Sequence, residues 1–436
     1  MNRREFINAT LMAGAGAYVI GQPSARAQEK ADVINLAIIG VGAQGKTLLN
    51  AAKDIPNISF KAVCDIWEYA RTYGERWLQK YGHKPNAYEN YQDMLEKEKD
   101  IHAVIVASPD FMHAEHANAA MKAGKHVYCE KMMSNDIEKA RSIVRTMKET
   151  GKLCQIGHQR RSNPRYLHVL NVLLGKAKLC GRIVNINGQW NRSPSDEIGW
   201  PEKYTIPPDV LKKYGYEDMR QFRNWRWFKK YGGGPISDLG AHQIDIFNWF
   251  LGTHPTSVIA SGGTDYYKNL EWDDNVMAIY EYDTPEGRVR AFYQVLTATG
   301  AGGGYFEYFM GDQGSIKMSE SAGITKIFRE ARAPEWKQWV EKGYIKLDAP
   351  PAAPSAGGGV TDARESAPPE AYSIPIVLDK PYHTPHIENF LDSIRGKAKL
   401  NCPADEAFRS EAAVFKVHQA VAARKALEFT PEDFAV

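Results

Sequence analysis

Cysteine is scarce in this chain. Cys64, Cys129, Cys154, Cys180 and Cys402 are odd in number, scattered through 436 residues and without paired spacing. That pattern argues against a disulfide framework, and no Cys/His group has metal-ligand spacing, so no metal is expected. Cys64, Cys129 and Cys154 sit in apolar, strand-like runs, where a thiol serves as a small core side chain. Long hydrophobic runs are absent: no stretch reaches the roughly 20 apolar residues needed to span a bilayer. Neither sign of charge dominates. The net charge is +3, the signs are interleaved and no polybasic run occurs, which argues against nucleic acid as a partner. There is no internal repeat and no dedicated two-carboxylate hydrolase motif.

What remains is ordinary globular composition, 43% hydrophobic and 25% charged, with length enough for two domains. The first 29 residues read differently. "MNRREFINATLMAGAGAYVIGQPSARAQ" has Arg3 and Arg4, a weakly apolar glycine-rich stretch from Ala9 to Gly21, and a small-x-small site at Ala25-Arg26-Ala27. Arg-Arg-x-Phe-Ile is the twin-arginine export pattern, so residues 1–29 are expected to be a signal peptide read by the twin-arginine machinery, with the mature protein periplasmic or otherwise extracytoplasmic.

Residues 30–158 alternate strand and helix. "VINLAIIG", "FKAVCDI", "IHAVIVASP", "HVYCEK" and "LCQIG" are short apolar runs, as expected of strands buried on both faces. Helical patterns follow the first four, over Lys46–Lys53, Tyr69–Tyr81, Ala114–Ala123 and Ile137–Glu149. Repeated βα units of this length predict an α/β domain with a parallel, doubly wound sheet. From 159 to 436 the pattern is β-rich: "RIVNINGQW", "SVIASGGTDYY", "VMAIYEYD", "VRAFYQVLTAT" and "SIKMS" predict an α+β domain on a large, mostly antiparallel open sheet. Residues 349–371 are Pro/Ala/Gly-rich and predict a surface loop. A last helix, about Ala404–Leu427, suits packing against either domain.

Three motifs carry chemistry. "GVGAQG" (Gly40, Val41, Gly42, Ala43, Gln44, Gly45) follows a strand and opens a helix. Gly40 permits a tight turn, Gly42 close approach to a pyrophosphate, and Gly45 close packing of helix on strand. Asp65 lies 20 residues past Gly45 at the end of the second strand, where a carboxylate receives a ribose 2′-hydroxyl and repels a 2′-phosphate. NAD is therefore expected over NADP. Ser108 with Pro109, and Glu130 with Lys131, end the third and fourth long strands, on the sheet edge where ligands of such folds bind. A lysine there is placed to hydrogen-bond a reacting hydroxyl. In "GGGPISDLGAHQIDIFNWF" (Gly232–Phe250), Asp238, His242 and Asp245 fall at i, i+4 and i+7 on one helical face. An N-cap and a satisfied core histidine would explain two of them. An acid one turn before an imidazole equally suits a general-base pair. The three glycines ahead of the helix suggest close approach to cofactor or substrate.

Together with "RRSNP", these make four ordered pieces that resemble the Gfo/Idh/MocA family of sugar and inositol oxidoreductases from about Val33 to the C-terminus. G-x-G-x-x-G matches Gly40, Gly42 and Gly45. Pro109, His113 and "AGKHVYCEK" resemble the P-x-x-x-H…E-K-P signature, with Met132 in place of the proline. "RRSNP" looks like the R-x-x-P stretch, and the 232–250 segment like the G-G-G…D-x-G-x-H-x-x-D helix. The resemblance implies a catalytic lysine at Lys131, an acid/base histidine at His242 and a supporting acid at Asp238. It implies polyol contacts from Arg160 and Asp245, substrate-facing Trp190, Asn191 and Arg192, and cofactor contacts that include Ser108, Pro109, His113, Glu130 and Gln159. It also implies a homo-oligomer through the second domain's sheet.

The expected activity is hydride transfer from a sugar, polyol or glycoside CH–OH to NAD, with the proton removed by a base. Export sharpens this expectation. A soluble NAD pool is not expected outside the cytoplasm, so the cofactor should stay bound and be regenerated within one cycle. Two such cycles fit: oxidation of one sugar coupled to reduction of a second carbonyl compound, or transient oxidation followed by elimination and addition, whose net result is glycoside hydrolysis. A non-catalytic sugar or nucleotide sensor is the remaining alternative.

Overall fold

The computed structural model describes residues 33–302, 304–348 and 369–436. The expected signal peptide and most of the 349–371 loop lie outside the described residues. Six strands, β1 (Ile34–Ile39), β2 (Ile58–Cys64), β3 (Asn86–Tyr88), β4 (Ala103–Val106), β5 (His126–Cys129) and β6 (Cys154–Ile156), form a parallel sheet in the order β3-β2-β1-β4-β5-β6. The order reverses between β1 and β4, which opens a crevice at their carboxyl ends. β1 and β4 are almost wholly buried, as their apolar runs require. Helices α1 (Ala43–Ala52), α2 (Glu68–Lys80), α3 (Tyr91–Lys97), α4 (Asp110–Lys122) and α5 (Ile137–Thr150) connect the strands. β3 and α3 have no counterpart among the sequence expectations. β3 is three residues long and mostly exposed, so it leaves no apolar run to read.

Glycine is forced at the first turn. Gly40 has φ +92°, and a Cβ there would stand 2.5 Å from Ala107 O. A Cβ on Gly45 would stand 2.1 Å from Gly40 O, so this helix start can lie on the strand end only without one.

The second sheet has ten strands, ordered β14-β15-β13-β12-β11-β7-β10-β9-β8-β16. They are β7 (Ile183–Asn191), β8 (Ser257–Gly263), β9 (Asn275–Thr284), β10 (Gly287–Leu296), β11 (Tyr305–Gly311), β12 (Gly314–Met318), β13 (Lys326–Arg329), β14 (Lys346–Leu347), β15 (Glu370–Ser373) and β16 (Leu427–Glu428). All neighbours are antiparallel except β7 and β10. Helix α6 (Ala241–Leu251) packs on one face through Ile244 and Phe247, both fully buried. The alternation in β9 and β10 places Val276, Ala278, Tyr280 and Val289, Ala291, Tyr293 in the same core.

The remaining chain joins the two sheets. α7 (Thr384–Ile394) lays Ile387, Phe390 and Leu391 on the first sheet, and α8 (Ala404–Ala423) touches both domains. Phe408 of α8 enters the core beneath the parallel sheet, while Val414 and Val417 enter the second domain's core. Residues 192–231, between β7 and α6, also leave the second domain and bury Tyr216, Phe228 and Tyr231 against the first.

Candidate active site

The crevice between β1 and β4 is a cleft of about 530 Å³. One wall is the Gly40–Gly42 turn, Ala43 and Gln44. Asp65 borders it, and Ser108 with Pro109 faces across. Asp65 is fixed by the backbone: Oδ2 accepts from Val41 N at 2.7 Å and Oδ1 from Trp67 N at 2.8 Å. Burial raises its pKa, and these two hydrogen bonds oppose the rise. Gly42 caps α1 with open space where a Cβ would stand. The cradle, the helix start and the carboxylate fit a dinucleotide: pyrophosphate at the glycines and ribose at Asp65.

The end of β5 brings Glu130 and Lys131 into the same lining. Glu130 accepts from Gln44 Nε2 at 2.9 Å, and Gln44 Nε2 lies 3.0 Å from His383 Nε2. The Lys131–Met132 peptide is cis. Lys131 Nζ donates to the backbone carbonyl of Asp238 and lies 3.6 Å from Asp238 Oδ1. Arg226 Nε donates to the same Oδ1 at 3.1 Å. Burial alone would raise Asp238, but Arg226 and then Lys131 hold it far below the usual carboxylate range. His242 is pushed well below its ordinary value by burial and then by the charges of Lys131 and Arg160, so the imidazole is neutral.

The expected one-face arrangement of Asp238, His242 and Asp245 is modified. Residues Ile236–Gly240 form a π-helical turn before α6 begins, so the register changes between Asp238 and His242. Asp238 stands behind Lys131 and Arg226, which line the cleft; His242 lies 5.8 Å from the Trp190 ring, and Asp245 is buried. Asp245 accepts from Arg161 Nη2 at 2.7 Å and Ser410 Oγ at 2.8 Å. Arg160, 1% exposed, pairs with Glu307 and donates to Glu320 Oε2 at 3.1 Å. These two expected polyol contacts are therefore interior ion pairs. Asn191 is also differently placed: its amide faces Ala301 O at 3.3 Å and Gln294 Nε2 at 3.2 Å and holds the glycine-rich loop before β11. Trp190 stacks on Tyr305, centroids 4.4 Å apart, with the Arg160 guanidinium 5.2 Å from the Tyr305 ring.

Two expected cofactor contacts likewise have other work. The ring nitrogens of His113 lie 2.6 Å from Met132 O and Ser108 O, which ties the ends of β4 and β5 together. Gln159 Nε2 donates to Glu320 at 3.0 Å. The glycines before α6 are explained by packing rather than by approach to a ligand. A Cβ on Gly233 would strike Ser237, and Gly234, at φ +68°, lies under the Trp272 ring.

Sequence reasoning missed Asp110, His383 and Arg226. Asp110 begins α4, lines the cleft and is 6% exposed. Burial lifts its pKa to about 8 against the opposing pull of Lys131, so it carries a proton at neutral pH. Its signal was its position directly after Ser108-Pro109. Arg226 lies in a single 3-10 turn (Trp225–Trp227) and His383 directly before α7, neither within a motif.

This fold and cleft define a two-domain protein whose first domain is a dinucleotide-binding Rossmann fold. Residues 34–158 match the oxidoreductase family with an NAD-binding Rossmann fold, and residues 177–317 match the GFO/IDH/MocA C-terminal domain; the chain belongs to this family. It is 29% identical over 216 residues to glucose-6-phosphate 3-dehydrogenase of Bacillus subtilis, covering 50% of this chain and 53% of that protein. It is 29% identical over 221 residues to inositol 2-dehydrogenase of Salmonella typhimurium, covering 50% and 54%. The chain spans about half the length of the curated relatives it matches. Among solved structures, levoglucosan dehydrogenase in complex with NADH superposes with a TM-score of 0.66 at 17% identity, over 92% of this chain and all of that one. The WlbA dehydrogenase of Chromobacterium violaceum, in complex with NADH and UDP-GlcNAcA, gives 0.66 at 18%, over 92% and 96%.

Proposed function

We propose that this protein oxidises a CH–OH group of a sugar, polyol or glycoside and keeps its NAD bound through the cycle. The observation that carries the proposal is the Lys131 ammonium lining the cleft, paired with Asp238 and close enough to His242 for its charge to help keep that imidazole neutral. NAD, when bound, supplies the hydride acceptor. His242 in its neutral form accepts the hydroxyl proton. Lys131 donates a hydrogen bond to the same oxygen, and Asp238 with Arg226 fixes the lysine's direction. The names of the relatives, which include inositol and sugar dehydrogenases, support this substrate class. The reading includes twin-arginine export, supported by Arg3, Arg4 and the Ala25-Arg26-Ala27 site. It also includes pairing with a second copy of the chain. Ile259, Ile279 and Phe292 lie side by side across β8, β9 and β10, and Ile259 and Ile279 are 48% and 42% exposed. Ile279→Arg should convert the oligomer to a smaller species by light scattering; an unchanged mass removes this face from the interface.

The test is direct. The purified protein is denatured and its nucleotide identified; sugars, polyols and aryl glycosides are then offered to native protein without added NAD. Bound NAD should be reduced, read at 340 nm, by at least one neutral sugar or polyol. Aryl release without any acceptor would establish the hydrolytic cycle in its place. Reduction by none of them, with NAD in place, would leave the sensor.

A further inference from the structure

The connection from β7 to α6 is far longer than the usual four to six residues. Residues 192–231 neither extend the ten-stranded sheet nor fill its core. Instead Ile206, Leu211, Tyr216, Met219, Phe228 and Tyr231 are buried in the core of the first domain. Three hydrogen-bonded contacts fasten the segment there. The Trp67 indole N–H donates to Tyr204 O at 2.6 Å, the Tyr214 hydroxyl lies 2.8 Å from Glu89 Oε1 and Asn90 Oδ1, and Phe111 N donates to Tyr231 O at 3.2 Å. Its inner side, with Ile198, Tyr214, Phe222, Arg223 and Arg226, is the outer wall of the dinucleotide cleft.

The charges on that wall suit a dinucleotide. Arg223 lies 4.7 Å over the Trp67 ring, at the Asp65 end, and its Nε donates to Gly199 O at 3.2 Å. No carboxylate pairs with it among the described residues, although its charge is felt by Asp65 and Lys46. A half-buried guanidinium beside a ribose site is placed to meet the adenosine diphosphate portion. Arg226, three residues on, holds Asp238 at the reacting end. One segment therefore covers the cofactor and supports the lysine–aspartate pair.

We propose that residues 192–231 are a cofactor clamp: the segment closes the cleft over the dinucleotide, Arg223 binds its adenosine diphosphate part, and NAD leaves only when the segment detaches. This rests on the assignment of the cleft to NAD, and it supplies the physical basis for a cofactor kept through the cycle. Detachment must expose six apolar side chains together and release Asp238, so exchange is slow and coupled to loss of the reacting geometry.

The test follows exchange rather than turnover. Full-length protein carrying one NAD per chain, as purified or reconstituted, is mixed with excess isotopically labelled NAD, and the nucleotide retained is weighed by mass spectrometry over time. Wild type should exchange over many minutes to hours. Arg223→Ala and Tyr214→Phe should exchange about tenfold faster or more, and Arg223→Lys should stay near wild type. Far-UV circular dichroism checks that the variants are folded. Exchange of wild type within seconds overturns the clamp, as do folded Arg223→Ala and Tyr214→Phe variants that exchange at the wild-type rate. Slow exchange with no sugar able to reduce the cofactor upholds the clamp and rejects the sugar reading; sugar oxidation with freely exchanging NAD does the reverse.

Discussion

Lys131→Met lowers hydride transfer by about 100- to 10,000-fold, the range for losing a positioned proton-handling group. The substitution keeps most of the side chain's length and apolar stem, so the interior around it is little disturbed. What disappears is the ammonium held by the Asp238 carbonyl and carboxylate, which under the proposed function meets the substrate hydroxyl. The loss should fall on kcat, with the amount of bound NAD unchanged, because the glycine turn and Asp65 are held by backbone contacts that do not involve Lys131. Stopped-flow reduction of bound NAD by saturating substrate reads this directly. A variant within threefold of wild type would remove Lys131 from the chemistry. The pH profile bears on its partner. A base must be neutral to accept a proton, and burial together with Lys131 and Arg160 depresses His242. The acid limb of kcat/KM should therefore fall below pH 6.5, the ordinary histidine value.

Asp245→Ala should destabilise the protein by about 3–5 kcal/mol, measured as a fall in the urea midpoint, with little change in substrate KM at low temperature. Removing this carboxylate strands the Arg161 guanidinium, 5% exposed, and the Ser410 hydroxyl, 1% exposed, in the interior. The pH dependence carries the same signature. Burial alone would raise Asp245, but Arg161, then His158, bring it to about 2, below the usual 3.8. A depressed acid contributes stability that is fully present above pH 3.8 and is lost as pH falls through about 2. Asp245→Asn should lack that loss between pH 4 and pH 2. If instead KM rises sharply while the midpoint holds, Asp245 is a substrate contact and the interior assignment is wrong.

The difference between these residues shows where sequence runs out. Lys131 was legible because its position follows from a local rule: it ends a buried strand, and strand ends of a doubly wound sheet face the ligand crevice. Asp245 and Arg160 shared a motif with functional residues, yet a motif states position and not partner. Their partners are remote: Ser410 is 165 residues from Asp245, Glu307 is 147 from Arg160 and Glu320 is 160. Nothing local records that these pairs are made. The π-helical turn at Ile236–Gly240 adds a change of register that a 3.6-residue period cannot anticipate.

The clamp segment is the same lesson at larger scale. Its aromatic residues, Tyr216, Phe222, Trp225 and Tyr231 among them, announce burial but not the surface that buries them.

By itself the sequence determined the parallel first domain, the glycine turn, the carboxylate that ends the second strand and the lysine at the sheet edge. All of these depend on short-range regularities: buried apolar strands, turns that only glycine permits, and helix starts that bind phosphate. Tertiary structure alone decided that Arg160 and Asp245 are buried ion pairs, that Asp238 answers to Lys131 and Arg226, and that a 40-residue excursion walls the cofactor cleft. The physical reason is that ionic partners and buried surfaces are chosen by proximity in the folded chain, where charges far apart in sequence must be neutralised together once water is excluded.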